Sequence, residues 1–321
     1  MKNLLLLTVA VFCSHFLYPW GFYAHRQINY YAVFMLPPEM LVLYKPNIQF
    51  LNDHAVDADK RRYAVAAEGP RHYIDIDRYG QYPFDSLPRT FTKAMEKYGA
   101  DTLQANGIVP WYIQTMLARL TKAFKEKDQI KILKLSADIG HYIADAHVPL
   151  HVSSNHNGQL TNQQGIHAFW ESRIPELLAA TTWNFFTGKA VYIANPLSFT
   201  WARVLESAAA ADSVLQIEKA LNNRFLPDQK FSFEERSGKL VRQYSTAYCQ
   251  AYNKQLNNMV ERRMQQSIYA VASFWYTAWV NAGQPDLKQL TNKNFSEEDQ
   301  KEFSALNKEW MKGQAIGKGC D

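Results

Sequence analysis

Cysteine is scarce in this chain, with three in 321 residues. Cys13 falls in an N-terminal apolar run, which leaves Cys249 and Cys320. In an oxidising compartment these two can form one disulfide, and two unpaired thiols fit the spacing equally well. Internal repeats, low-complexity tracts and long Gly/Ser linkers are absent too. Strand-like alternation of apolar and polar residues is rare, which points away from an extended sheet. The chain has neither a G-x-S-x-G elbow nor a P-loop, so no motif points to a covalent serine nucleophile or a glycine-rich phosphate cradle. Charge of either sign is modest: 35 Lys and Arg against 30 Asp and Glu leave a formal +5. Such a balance leans only mildly towards phosphates, nucleic acid or lipid head groups.

What is present is apolar material with helical spacing. At 47% hydrophobic and 14% aromatic, the chain can bury a large core in one or two domains. The opening "MKNLLLLTVAVFCSHFLYP" has Lys2 followed by an apolar run from Leu4 to Cys13. That run is short for a bilayer span and has the length of a secretory core, so residues 1–19 read as a signal peptide and the product as secreted or periplasmic. Leu17 and Pro19 ahead of Trp20 are not the small residues a peptidase prefers. Phe12 before Cys13 makes a lipoprotein anchor the weaker reading. No transmembrane span remains once the leader is removed.

Helical periodicity recurs after the leader. "WYIQTMLARLTKAFKEK" (111–127) spaces apolar residues three and four apart and ends in lysines, as the helix dipole favours. "IKILKLSADIGHYIADAH" (130–147) is almost uniformly apolar and predicts a buried helix. Two more long helices are expected over 231–256 and 260–283, the second stopped by Gly283 with Pro285 beyond. Ser296, followed by three acids, predicts a helix start, with Phe303, Leu306 and Trp310 on one face. The expectation is an all-α fold, a single-domain multi-helix bundle over residues 20–290, followed by an amphipathic tail over 291–321. "SSNHNGQLTNQQG" (153–165) reads as a loop.

Histidine is distributed unevenly. One of the nine, His15, lies in the leader, and the other eight fall between residues 25 and 167. On the buried helix, His141 and Asp145 stand four apart, about 40° around the axis at roughly 100° per residue. Burying an unpaired imidazole or carboxylate is costly, so this pair is either hydrogen-bonded within the core or holding a metal. His151 follows Pro149 and can swing back to the same place. "GIHAFWESRIPELL" then supplies His167 and Glu171, again four apart. Upstream stand His25 in "WGFYAHRQ", Asp57 in "HAVDADKRRY" and His72 in "HYIDID". Several such pairs on one helical chain argue for metal. Neutral imidazoles with carboxylates and no thiolate suit zinc best, with manganese or iron next. Eight side chains are enough for two or three ions. His147 has a surface, core or supporting role open to it, and His54 and His156 are expected to be solvated.

With these motifs in order, the sequence resembles the zinc-dependent phospholipase C and S1/P1 nuclease superfamily, secreted all-α phosphodiesterases with three clustered zincs. The resemblance implies that Asp57, His72, His141 and Asp145 hold the first zinc and that His151, His167 and Glu171 hold the second. Trp20, through its α-amino group and carbonyl, would hold the third with His25 and a shared Asp145. Should Trp20 not be the mature N-terminus, two ions are expected. The Trp20-to-His25, Asp57-to-His72 and "HYID" features are similar to the nuclease branch, and Glu171 to the phospholipase branch. Lys60 falls where the nucleases set an arginine against phosphate, and Tyr73 and Asp75 fall where they bind a base. Asp57, Asp145 and Lys60 are thus the candidate catalytic residues. Two ions joined by Asp145 would lower the pKa of a shared water, and the remaining charge would stabilise a phosphodiester in transition. The expected substrate is single-stranded nucleic acid or a phospholipid head group, with no stable protein partner implied. The alternative is a non-catalytic extracellular zinc-binding protein of the same fold.

Overall fold

The computed structural model describes residues 22–236, 238–290, 294–313 and 315–316. Its organising element is the helix Gln129–His147. Asp128 caps the start by accepting from the Lys131 backbone N–H at 3.1 Å. Every residue from Ile139 to His147 is buried, as uniformly apolar spacing requires. The helices Phe22–Val33, Val109–Lys125, Pro196–Asn222 and Met259–Asn281 pack around it. Among the described residues the only sheet is one two-stranded hairpin, and the fold is all-α. None of the described helices is long and apolar enough to cross a membrane.

One residue pins three of these elements together. Asn29 is 1% exposed; its Nδ2 donates to Leu51 O at 3.3 Å and to Ala137 O at 3.1 Å. This contact joins the first helix to Ile48–Asp53 and to the central helix one turn before His141. It needs Gly140, because a Cβ there would lie 2.0 Å from Asn29 Oδ1.

The long helix expected over 231–256 is not one element. Phe231–Arg236 and Lys239–Tyr244 form an antiparallel hairpin, β1 and β2, with Phe231 opposite Tyr244 and Arg236 opposite Lys239. Phe231 and Phe233 share one face, Tyr244 stacks on Phe169 with ring centroids 4.0 Å apart, and Gly238 supplies the positive φ of 75° that the turn demands. The helix begins only at Thr246, where Ser245 Oγ accepts from Tyr248 N at 3.3 Å. A second, smaller apolar cluster forms here from Phe169, Trp170, Tyr248, Cys249 and Tyr252. Among the described residues Cys249 has no disulfide partner, and burial pushes its thiol up to about 12; Cys320 lies outside the described residues.

The tail forms the expected helix, Glu297–Met311, with a reciprocal cap between Ser296 and Asp299. Its apolar face docks beside the candidate site. The Phe303 ring lies 4.2 Å from His54, and Trp310 lies 5.4 Å from Phe22. Lys134 ties the helix to the central one through Asp299 at 2.8 Å and Glu302 at 2.7 Å.

Candidate metal centre

Five segments bring the histidines together, and local sequence explains how each is aimed. The central helix stops at His147 because Val148, ahead of Pro149, is extended (φ −83°, ψ 120°). The 3₁₀ turn Pro149–Val152 then carries His151 back beside the chain after His72. His151 Nδ1 donates to His72 O at 2.7 Å, and Ile74 N donates to His151 O at 2.9 Å. Past the 153–165 loop, a π turn over Phe169–Arg173 interrupts the helical run. Such turns often mark functional positions. Here it sets Glu171 Oε2 2.7 Å from His167 Nε2.

Three groups of potential ligand atoms result: His151, His167 and Glu171; His25, His141 and Asp145; and Asp59, His72 and His141, each with its atoms within 4.8 Å of one another. The groups are fused. Asp145 lies within 3.9 Å of His25, His72, His141 and His151. Glu171 Oε1 lies 3.1 Å from His25 Nε2 and so bridges the first two groups. The His25 and His141 rings stack at 3.9 Å.

Backbone carbonyls assign the tautomers. His141 Nδ1 faces Ala55 O at 2.8 Å, His151 Nδ1 faces His72 O at 2.7 Å, and His167 Nδ1 faces His156 O at 3.2 Å. Each carbonyl takes the Nδ1 proton, so each Nε2 lone pair points inward. His151 Nε2 and His167 Nε2 then meet at 3.2 Å, and His141 Nε2 meets His72 Nδ1 at 3.0 Å, with carboxylates around them. Lone pairs so arranged repel unless a cation or proton sits among them. The donor set of imidazoles and carboxylates therefore fits a divalent metal. Asp145 Oδ1, buried and without a hydrogen-bond partner among the described residues, is a further free acceptor there.

Titration behaviour says the same. Burial works against the cationic form of His25 and His151, but Glu171 and Asp145 outweigh it and lift both to about 9. His72 is raised against the same burial by Asp145 and Glu68. Burial would raise Asp59, Asp145 and Glu171, yet the surrounding imidazoles hold all three below the usual carboxylate range. The pull that draws protons onto these rings is one a metal cation would satisfy in their place.

His25, His72, His141, Asp145, His151, His167 and Glu171 are thus brought to one place, all buried. Asp57 is not among them. Its Oδ2 lies 2.5 Å from His54 Nδ1 and its Oδ1 accepts from Lys60 Nζ at 2.9 Å. Asp59 takes the inward position, with Oδ1 at 3.5 Å from His141 Nε2 and 3.7 Å from His72 Nδ1. On the helix Asp57–Arg61, two residues' separation turns the side chain by roughly 200°, so only one of the two can face the centre. Lys60 is buried in its ion pair with Asp57. Tyr73 and Asp75 sit at the packed junction with residues 105–109. The Tyr73 hydroxyl donates to Ala105 O at 3.1 Å, and Asp75 N donates to Asn106 O at 2.7 Å. Trp20 lies outside the described residues. His54, expected to be solvated, is packed between Phe50 and Phe303.

The sequence reading passed over Glu68, although it stands four residues before His72, the spacing that drew attention to the other pairs. Glu68 is fully buried. Its carboxylate lies 3.6 Å from His72 Nε2, the ring edge away from the centre. It also accepts from Arg71 Nη1 at 2.5 Å and from the Tyr142 hydroxyl. Arg61 stands 3.6 Å from it. Arg61 and His72 help hold it at about 2 against the opposing effect of burial.

Fold and site together define a class: an all-helical chain whose helices gather imidazoles and carboxylates, without thiolate, into fused groups able to hold metal ions. The S1/P1 nuclease model matches residues 20–279, and the chain belongs to the S1/P1 nuclease family. No curated protein matches it. Membership implies a zinc-dependent phosphodiesterase. Proteins of this family are typically secreted. The tail helix lies beyond the matched region.

Proposed function

We propose that this protein hydrolyses the phosphodiester bonds of single-stranded nucleic acid at a three-zinc centre. The observation that carries the reading is the convergence of carbonyl-fixed Nε2 lone pairs from His141, His151 and His167 on Asp145 and Glu171. Asp59, His72 and His141, joined by Asp145, would hold one ion; His151, His167 and Glu171 would hold another. His25 with Asp145 would hold the third, together with Trp20 if the mature chain begins there. Bound ions of this kind lower the pKa of a water towards neutrality and neutralise charge on the phosphate.

The chain's own residues supply the rest. Asp145 faces four imidazoles at once and fixes their spacing. Glu68 sets a negative charge 3.6 Å from the outer edge of His72, which favours the proton on that Nε2 and leaves Nδ1 facing inward. Lys60, paired with Asp57 at 2.9 Å, is the cation this reading assigns to a phosphate. The family supports nucleic acid as substrate. Release of nucleotides from single-stranded RNA or DNA by the purified protein, abolished by chelation and restored by zinc, is the expected result. Diacylglycerol released from phosphatidylcholine vesicles, with nucleic acid left intact, would overturn it in favour of the phospholipase reading. Zinc bound with neither product would leave a non-catalytic zinc-binding protein.

A further inference from the structure

Beside His25 lies a small cavity. Its walls include His25, Ala144, His147, Trp170, Glu171, Arg263 and Ser267. About 20 Å³ of it is open to the centre of a water molecule, which is room for one water and little more. Three of its lining side chains each carry a buried ring nitrogen with no hydrogen-bond partner among the described residues: His25 Nδ1, His147 Nε2 and Trp170 Nε1. The three residues are 3%, 2% and 3% exposed. Leaving one buried polar group unpaired is costly, and three around one cavity require a common explanation.

Their chemistry is complementary. Trp170 Nε1 can only donate. His147 Nδ1 lies 2.7 Å from Ile143 O and donates there, so its Nε2 can only accept. His25 presents Nε2 to Glu171 and Asp145 at 3.1 and 3.4 Å. If that nitrogen is a metal ligand, Nδ1 carries the proton and donates. Two donors and one acceptor are what a single water satisfies, by accepting twice and donating once, and three bonds is the usual number for a buried water. We propose that one ordered water occupies this cavity and bonds His25 Nδ1, Trp170 Nε1 and His147 Nε2. Held by Trp170 and His147, it fixes the His25 tautomer with the Nε2 lone pair towards the metal centre. Trp170 and His147 are then positioning residues for His25. The water itself follows from the cavity, whereas its consequence for metal rests on the proposed function.

The test is a crystal structure of the zinc-loaded protein, with histidine ¹⁵N spectra of the wild type, Trp170→Phe, His147→Leu and His147→Gln. A water within hydrogen-bond distance of all three nitrogens, and a wild-type His25 protonated at Nδ1, are expected. Trp170→Phe and His147→Leu should mix the His25 tautomers and weaken retention of the zinc at His25 by about 10–100-fold, the range for lost outer partners of a ligand. His147→Gln, which keeps an acceptor, should restore most of it. Zinc present with no water in the cavity overturns the inference and leaves the functional reading intact. A water in place in a protein that takes up no zinc supports the inference and sinks the functional reading. Unchanged His25 spectra in both Trp170→Phe and His147→Leu would also overturn it.

Discussion

Gly140→Ala in the middle of the central helix would ordinarily stabilise a protein, because alanine is favoured over glycine there by about 1 kcal/mol. The structure reverses the sign. The new Cβ would stand 2.0 Å from Asn29 Oδ1 and 2.9 Å from its Cγ. Asn29 must therefore rotate, or the first helix must move away. Rotation forfeits the bonds to Leu51 O and Ala137 O, and losing a buried hydrogen bond costs about 1–3 kcal/mol when a partner is left unsatisfied. Moving the helix instead incurs an overpacking cost of about 1–3 kcal/mol. Set against the propensity gain, losing both bonds leaves about 1–5 kcal/mol and moving the helix up to about 2, so the cheaper route puts the net loss at roughly 1–2 kcal/mol, or about 2–8 °C in Tm. The effect reaches the candidate site, because His141 is the next residue and His25 lies one turn before Asn29. Thermal unfolding followed by circular dichroism, with zinc counted by elemental analysis, reads both consequences. Asn29→Ala combined with Gly140→Ala removes the clash, so the double variant should lose less than the sum of the two single losses. A Gly140→Ala protein as stable as the parent, with full zinc, would refute this account of how the first and central helices are locked.

Further outcomes are expected at other points. Glu171→Gln keeps the shape but removes the charge shared by His25, His151 and His167; it should lower zinc content and reduce phosphodiesterase turnover by at least about 10–100-fold, which elemental analysis and a nuclease assay would check. In the metal-free protein, His25 and His151 are raised from 6.5 to about 9. The stability they contribute should therefore be fully present below about pH 6.5, fall as pH rises through 9, and be restored by zinc; equal melting of the metal-free protein at pH 6 and pH 9 would contradict this. Asp59→Asn should weaken zinc retention more than Asp57→Asn, because only Asp59 approaches His72 and His141; the reverse order in a chelator competition would return the ligand role to Asp57. Phe303→Ala should cost about 1–3 kcal/mol, since the half-buried ring loses its contacts with Phe50, His54 and Phe295, and urea unfolding measures it.

The imidazole and carboxylate content of the centre was legible in the sequence because both residue types are rare in an apolar helix and stand four apart in two places. That spacing alone puts His141 with Asp145 and His167 with Glu171, whatever else folds around them. The helical spans at 111–127, 130–147 and 260–283 were equally legible, as apolar periodicity is a local property. The hairpin at 231–244 was not. Its segment carries both periods weakly, and its packing against the Phe169 and Tyr248 cluster decides between them.

The sequence by itself thus determined the all-helical class and which residue types had to be kept together, because those follow from spacing along one element. Only the tertiary structure turned Asp59, rather than Asp57, towards His72 and His141, since a short helix can be rolled either way by what packs on it. Only the tertiary structure set Glu68 behind His72, and gathered His25, His147 and Trp170 around one cavity from three separate segments. These are choices of direction between elements, and direction is set by packing across the core.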